Sequence, residues 1–173
     1  MTKKEVTEIF SVMMLAWPNS ELFKGGIQKL GPTIELWHSC LPDVDFWTGK
    51  QAVIRLCREN KYSPTIADFR EKVEKINTEI RERTEEALGR IKTGEILGSV
   101  ADYYNQLPEG NFDKAVIRAM GGPEHLILPL DNGDAMWDVT GFENAYLALL
   151  KKTQIDIGQG RAAMISDKRE ADL

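Results

Sequence analysis

The feature that most constrains this chain is a period. Between residues 66 and 80, the apolar side chains Ile66, Phe69, Val73, Ile76 and Ile80 step by three, four, three and four positions. That spacing returns to one face of an α-helix at every turn, whereas a strand alternates faces residue by residue. Thr84 interrupts the stripe, and Ala87 and Ile91 resume it. Two readings fit: one long helix of about 25 residues, or a core helix with a charged extension. Thr65 suits an N-cap, and Asp68 falls in the first turn, where negative charge meets the positive end of the helix dipole. The dense Glu, Lys and Arg from Glu71 to Lys92 read as a solvated helix face.

The same period recurs on both sides. Thr2 followed by Glu5 is a capping box opening a helix, whose face carries Val6, Ile9, Phe10, Met13 and Trp17. Pro18 disfavours helix at Trp17 and stops it. After a loop with Gly25 and Gly26, a short second helix is expected over 34–41, presenting Ile34, Trp37 and Leu41. A third is expected over 44–60, with Phe46, Trp47, Val53, Ile54 and Cys57 as its apolar set. Gly89, Gly94 and Gly98 loosen the segment after the long helix. Helices are then expected over 96–107 and 112–120, the latter ended by Gly121-Gly122-Pro123. Residues 124–139 are irregular, and Asp131-Asn132-Gly133-Asp134 turns a short hairpin between 126–130 and 136–139. A last helix over 141–152 has Phe142, Ala145, Tyr146, Leu149 and Leu150 on one face. The expected fold class is therefore all-α. A compact N-terminal helical domain with a long fourth helix occupies 1–88, and a hinge 89–98. A smaller, more flexible, mostly helical C-terminal region follows over 99–152, then a flexible polar tail over 153–173.

Charge narrows the function classes. The chain has 173 residues, with 22 Lys and Arg against 27 Asp and Glu, a net charge of -5. Strong stand-alone DNA binding needs a clustered basic surface to displace counterions, and this balance argues against it. The opening Met-Thr-Lys-Lys-Glu turns directly into an amphipathic pattern without a signal-peptide core. No apolar run approaches the roughly 20 residues of a membrane span. Cys40 and Cys57 are too few for a disulfide framework. The cytoplasm, with both thiols reduced, is the expected compartment.

Catalytic signatures are missing. Gly49-Lys50 is followed by Gln51, where a phosphate-binding loop needs Ser or Thr, and no glycine stands at the required upstream spacing. Gly158-Gln159-Gly160 lacks the strand and helix that a dinucleotide fingerprint requires. His38, Cys40, Cys57 and His125 match no zinc spacing. No carboxylate sits in an apolar stretch that would single it out as an acid or base. No cofactor, metal or catalytic residue is expected, and the chain reads as a non-enzymatic binder. Trp17, Trp37 and Trp47 lie on apolar helix faces and read as core. Trp137 stands in irregular acidic sequence, where an interface anchor and packing against the last helix are both open.

Four segments then carry a resemblance. They are Ala16-Trp17-Pro18-Asn19; Thr33-Ile34-Glu35-Leu36-Trp37 with Leu41 and Asp43; the helix bearing Ala52-Val53; and Lys61-Tyr62-Ser63-Pro64-Thr65-Ile66-Ala67-Asp68-Phe69-Arg70. In this order, residues 1–75 resemble the N-terminal domain of the phage helicase loader and inhibitor family. Ser63 stands where that family often has a second proline, and the Gly25-Gly26 loop is particular to this chain. The run Ala115–Gly122 and the helix start Phe142–Tyr146 resemble a segment of related phage and prophage proteins, which suggests some fold in the C-terminal half.

The resemblance implies a phage DNA replication protein in the bacterial host cytoplasm. Its C-terminal part would engage a hexameric replicative helicase of the DnaB type and become ordered on binding. It would hold that helicase inactive until an origin-binding initiator releases it onto DNA. On this chain the expected partner-binding residues are Trp137, Phe142, Tyr146, Leu149 and Leu150. Two alternatives stand beside it. One is a DNA-binding replisome organiser reading DNA through Arg70, Lys72, Lys75, Arg81 and Arg83, against which the interleaved Glu71, Glu74, Glu79 and Glu82 count. The other is a self-associating interaction protein built on the long helix.

Overall fold

The computed structural model describes residues 1–96, 99–131 and 134–153. The chain divides into two compact units, Met1–Thr78 and Glu79–Leu173, and the division falls inside a helix. The all-α expectation holds: among the described residues the sole strands are two of three residues each. The flexible tail expected over 153–173 lies, from residue 154 onward, outside the described residues.

The first unit holds α1 (Lys3–Ala16), two 3-10 turns (Glu21–Phe23 and Ile27–Lys29), α2 (Gly31–Cys40), α3 (Phe46–Glu59) and the start of α4 (Ile66–Ile96). The capping box of α1 is complete: the Thr2 hydroxyl accepts from the Glu5 N–H, and the Glu5 carboxylate accepts from the Thr2 N–H at 2.6 Å. The N–H of Thr2 at that carboxylate holds the Glu5 pKa below its usual value. α2 begins earlier than expected because Pro32 sits in its first turn, where a missing N–H costs nothing. α4 opens on a second reciprocal cap, with Thr65 N–H donating to Asp68 at 2.8 Å and Asp68 N–H donating to the Thr65 hydroxyl.

The core of this unit is aromatic. Phe10 meets Trp37 edge to face at 5.0 Å between centroids, and Trp37 meets Phe69 at 5.4 Å. Such pairs add about 0.5–1.5 kcal/mol beyond their burial. Val6, Ile9, Met13, Leu41, Ala52, Val53, Leu56 and Ile76 close around them. The face of α3 differs from expectation. Its buried residues are Thr48, Gly49, Ala52, Val53 and Leu56, while Phe46, Trp47, Ile54 and Cys57 are half-buried. Small residues bring the helix close: a Cβ on Gly49 would stand 2.9 Å from the Met1 sulfur and 3.4 Å from the Phe69 ring. Trp17 and Trp37 are core, whereas Trp47 is only half-buried and its indole N–H has no hydrogen-bond partner.

The second unit holds the rest of α4, α5 (Val100–Gln106), α6 (Phe112–Ala119), a 3-10 turn (Pro123–Leu126), β1 (Ile127–Pro129), β2 (Ala135–Trp137) and α7 (Val139–Thr153). α4 runs through Gly89 and Gly94 to Ile96, well into the segment that the glycines were expected to loosen. α6 closes on a Schellman turn: Gly121 N–H reaches the Arg118 carbonyl, and Gly122 N–H the Ile117 carbonyl, both at 3.1 Å. The two glycines adopt φ of 108° and 128°, a region L side chains avoid. Packing of α6 on α7 and on the 3-10 turn buries Val116, Ile117, Leu126, Phe142 and Leu150. The α4 residues Ala87, Leu88 and Ile91 are buried as well. β1 and β2 pair antiparallel, with Ile127 opposite Trp137 and Leu128 opposite Met136.

Candidate functional site

In the first unit, side-chain contacts tie the second and fourth motif segments to each other, and bonds at the first segment reach the chain at the start of the fourth. The Trp17 indole N–H donates to the Asn60 carbonyl at 3.2 Å, and the hydroxyls of Ser20 and Ser63 are 2.7 Å apart. These bonds join the end of α1 to the chain leading into α4. Asp43 receives both outer nitrogens of Arg70, at 3.2 and 2.9 Å, which holds its carboxyl below the usual range. The ring contact of Trp37 with Phe69 ties the same two segments, and Ala52 and Val53 are core. The motifs thus specify how the unit packs. What they leave open to a partner is a cleft of about 540 Å³ beside Trp17, Pro18, Lys61 and the exposed Tyr62.

The cations considered for DNA reading are partly engaged within the unit. Arg70 is bound to Asp43 and to the Cys40 carbonyl, and Lys72, mostly buried, pairs with Glu59 at 2.5 Å. Cys40 and Cys57 are free thiols, and burial raises the Cys57 pKa, the opposite of what activates a nucleophile. Among the described residues no group of three or more His, Cys, Asp or Glu is placed to hold a metal ion. Among them too, no helix is long and apolar enough to cross a membrane.

In the second unit the five expected partner-binding residues divide. Phe142, Tyr146 and Leu150 point into the unit's own core. Tyr146 meets Phe112 edge to face at 5.0 Å, and burial raises its phenol pKa. Leu149 and Trp137 are half-exposed, with the Lys92 ammonium 5.4 Å above the Trp137 ring. The apolar face of α7 is therefore largely covered by α6 and the 3-10 turn.

Two features escaped the sequence reading. One is an ion pair in the packing: Arg90 grips Asp113 through three hydrogen bonds of 2.8 to 3.0 Å, and Asp113 is 5% exposed. Beside it Glu109 binds Lys114 and Arg118, each at 2.7 Å, which lowers its pKa to about 2. The other is the outer face of the hairpin. Leu128 and Met136 are cross-strand partners, and Leu130, two residues on from Leu128, shares their face. Leu128 is 41% and Met136 50% exposed. Ile127 and Trp137, on the opposite face, are half-buried. The signal was present in Ile127-Leu128-Pro129-Leu130, apolar on both faces in a two-stranded sheet that is covered on one side.

These observations define the class: an all-α protein whose N-terminal unit is a compact, motif-tied helical domain. Residues 1–70 match the family model for the N-terminal domain of the phage helicase loader and inhibitor, the same domain that the four segments resemble. No curated protein and no solved structure matches the chain.

Proposed function

We propose that this chain is a phage DNA replication protein that binds the hexameric replicative helicase of the DnaB type, inhibits it and delivers it to the origin. The observation that carries this reading is the match of residues 1–70 to the loader and inhibitor domain, whose motif residues are the ones that hold the first unit together. The protein acts by occupancy, without a catalytic step of its own, in the cytoplasm of the bacterial host. The helicase contact lies in the C-terminal region over 99–152. There Trp137 and Leu149 are within a partner's reach, while Phe142, Tyr146 and Leu150 seat α7 so that its outer side is presented. Occupancy by a protein of moderate affinity leaves room for an origin-binding initiator to displace it.

The test is a pull-down of the purified chain against the phage or host replicative helicase, with and without ATP. The expected result is a nucleotide-dependent complex. Failure to bind in either condition would reduce the family match to a shared fold. The engaged state of Arg70 and Lys72 favours this reading over DNA recognition by α4.

A further inference from the structure

Four of the seven large apolar side chains that the described residues leave exposed lie within twelve positions: Leu128, Leu130, Met136 and Val139. Leu128 and Met136 are cross-strand neighbours with Leu130 on the same face, and exposed apolar side chains gathered in this way point to an interaction site. It is adjoined by a cleft of about 400 Å³, lined in part by Leu128, Pro129, Met120 and Ala145 and flanked by the carboxylates of Glu124 and Asp138. Asp131 adds a third carboxylate, exposed at the hairpin turn. Residues 99–153 carry eight acidic against four basic side chains. Of those four basic side chains, Lys114 and Arg118 are bound to Glu109. The cleft beside the hairpin therefore combines an apolar lining with the carboxylates of Glu124, 3.7 Å from the His125 Nδ1, and Asp138, whose Oδ1 accepts from the Gly141 N–H at 2.8 Å.

We infer that the outer hairpin face and its cleft dock a segment of the helicase that carries an apolar side chain flanked by Lys or Arg. This rests on the helicase reading above and names the surface and the partner chemistry that serve it. The charge pattern selects the occupant. A second copy of this chain would bring the same carboxylates and repel, and nucleic acid would be repelled outright. An apolar residue entering the cleft supplies burial, and cations meeting Glu124, Asp131 and Asp138 speed and orient the encounter.

The experiment is a binding titration of the full chain against the hexameric helicase at low and high salt, using three forms. They are the unaltered chain, the double variant L128D/M136D, and the charge variant E124Q/D131N, which leaves the apolar packing intact. Circular dichroism checks that each remains helical. The inference expects L128D/M136D to weaken binding at least tenfold, about 1.4 kcal/mol. It expects E124Q/D131N to weaken binding several-fold at low salt and to flatten the salt dependence. A folded L128D/M136D that binds as the unaltered chain does would overturn it while leaving the helicase reading intact. Should that variant unfold, E124Q/D131N decides: unchanged affinity and salt slope overturn the inference. No binding by the unaltered chain overturns both.

Discussion

The two units solve the same packing problem with different materials. The first uses rings: Phe10, Trp37 and Phe69 form a chain of edge-to-face contacts, fixed at the margins by Trp17 on Asn60 and by Arg70 on Asp43. The second has rings too, Phe112 and Phe142 against Tyr146, but adds a half-exposed Arg90 gripping the buried Asp113 carboxylate and leaves an apolar hairpin face uncovered. Charge separates them as well. The first unit has eleven basic and ten acidic residues, the second eleven and seventeen. The family match falls within the unit whose motifs are mostly scaffold. A domain that spends its distinctive residues on its own packing leaves partner choice to exposed side chains, and four of the seven large apolar ones exposed among the described residues lie in the second unit.

The comparison is tested hardest at the two cores. Phe69→Ala, by opening a ring-sized cavity, is expected to cost about 3–5 kcal/mol, and Phe142→Ala about the same. Urea denaturation followed by near-ultraviolet dichroism distinguishes the units, because Trp17, Trp37 and Trp47 report the first and Trp137 the second. If Phe142→Ala melts the Trp17 and Trp37 signal as fully as Phe69→Ala does, the two units are one cooperative body and the contrast fails.

Next in size is the Arg90–Asp113 pair. Arg90→Ala strands the Asp113 carboxylate, 5% exposed, and should cost about 2 kcal/mol, discounted because the arginine side chain itself is half-exposed. Asp113→Asn should cost less, since the arginine can turn to water. Equal losses in thermal melts would show that the pair is not the organising contact of the second unit. Gly121→Ala, at φ 108° and with its new Cβ 3.1 Å from the His125 ring, is expected to cost about 1 kcal/mol, whereas Gly89→Ala, in open space within α4, should not destabilise.

The smallest effect is one of pH. Glu109, ordinarily near 4.5, is lowered to about 2 by its hydrogen bonds to Lys114 and Arg118. A carboxyl with a depressed folded pKa lends stability that is whole above 4.5 and is lost as pH falls through about 2. Glu109→Gln should flatten the acid limb of the stability profile over that window, and an unchanged limb would mean that the pairs are not maintained in solution.

Much of the fold was legible because local rules decided it. The stripe from Ile66 to Ile80, the Thr2–Glu5 box and the Gly121-Gly122 stop each act within a few residues, and each element formed where its rule placed it. The α3 face was misread because Gly49 and Ala52 are small, and their burial reflects close helix approach that hydropathy does not register. Gly89 and Gly94 failed to break α4 because Ala87, Leu88 and Ile91 keep its face buried around them. The residues expected to bind a partner were legible as an apolar face of α7, but sequence alone did not show that α6 and the 3-10 turn cover most of it. The hairpin's outer face depends on which side of a two-stranded sheet meets the body, which is a tertiary fact.

The central claim is that this chain restrains a replicative helicase, and the most direct measurement is that helicase's ATPase rate, with DNA present, as the full chain is titrated in. The account predicts a saturable fall in rate that levels off at a fixed ratio of chain to helicase ring. A rate that stays flat through a concentration at which the two proteins are shown to be mixed and folded would contradict it.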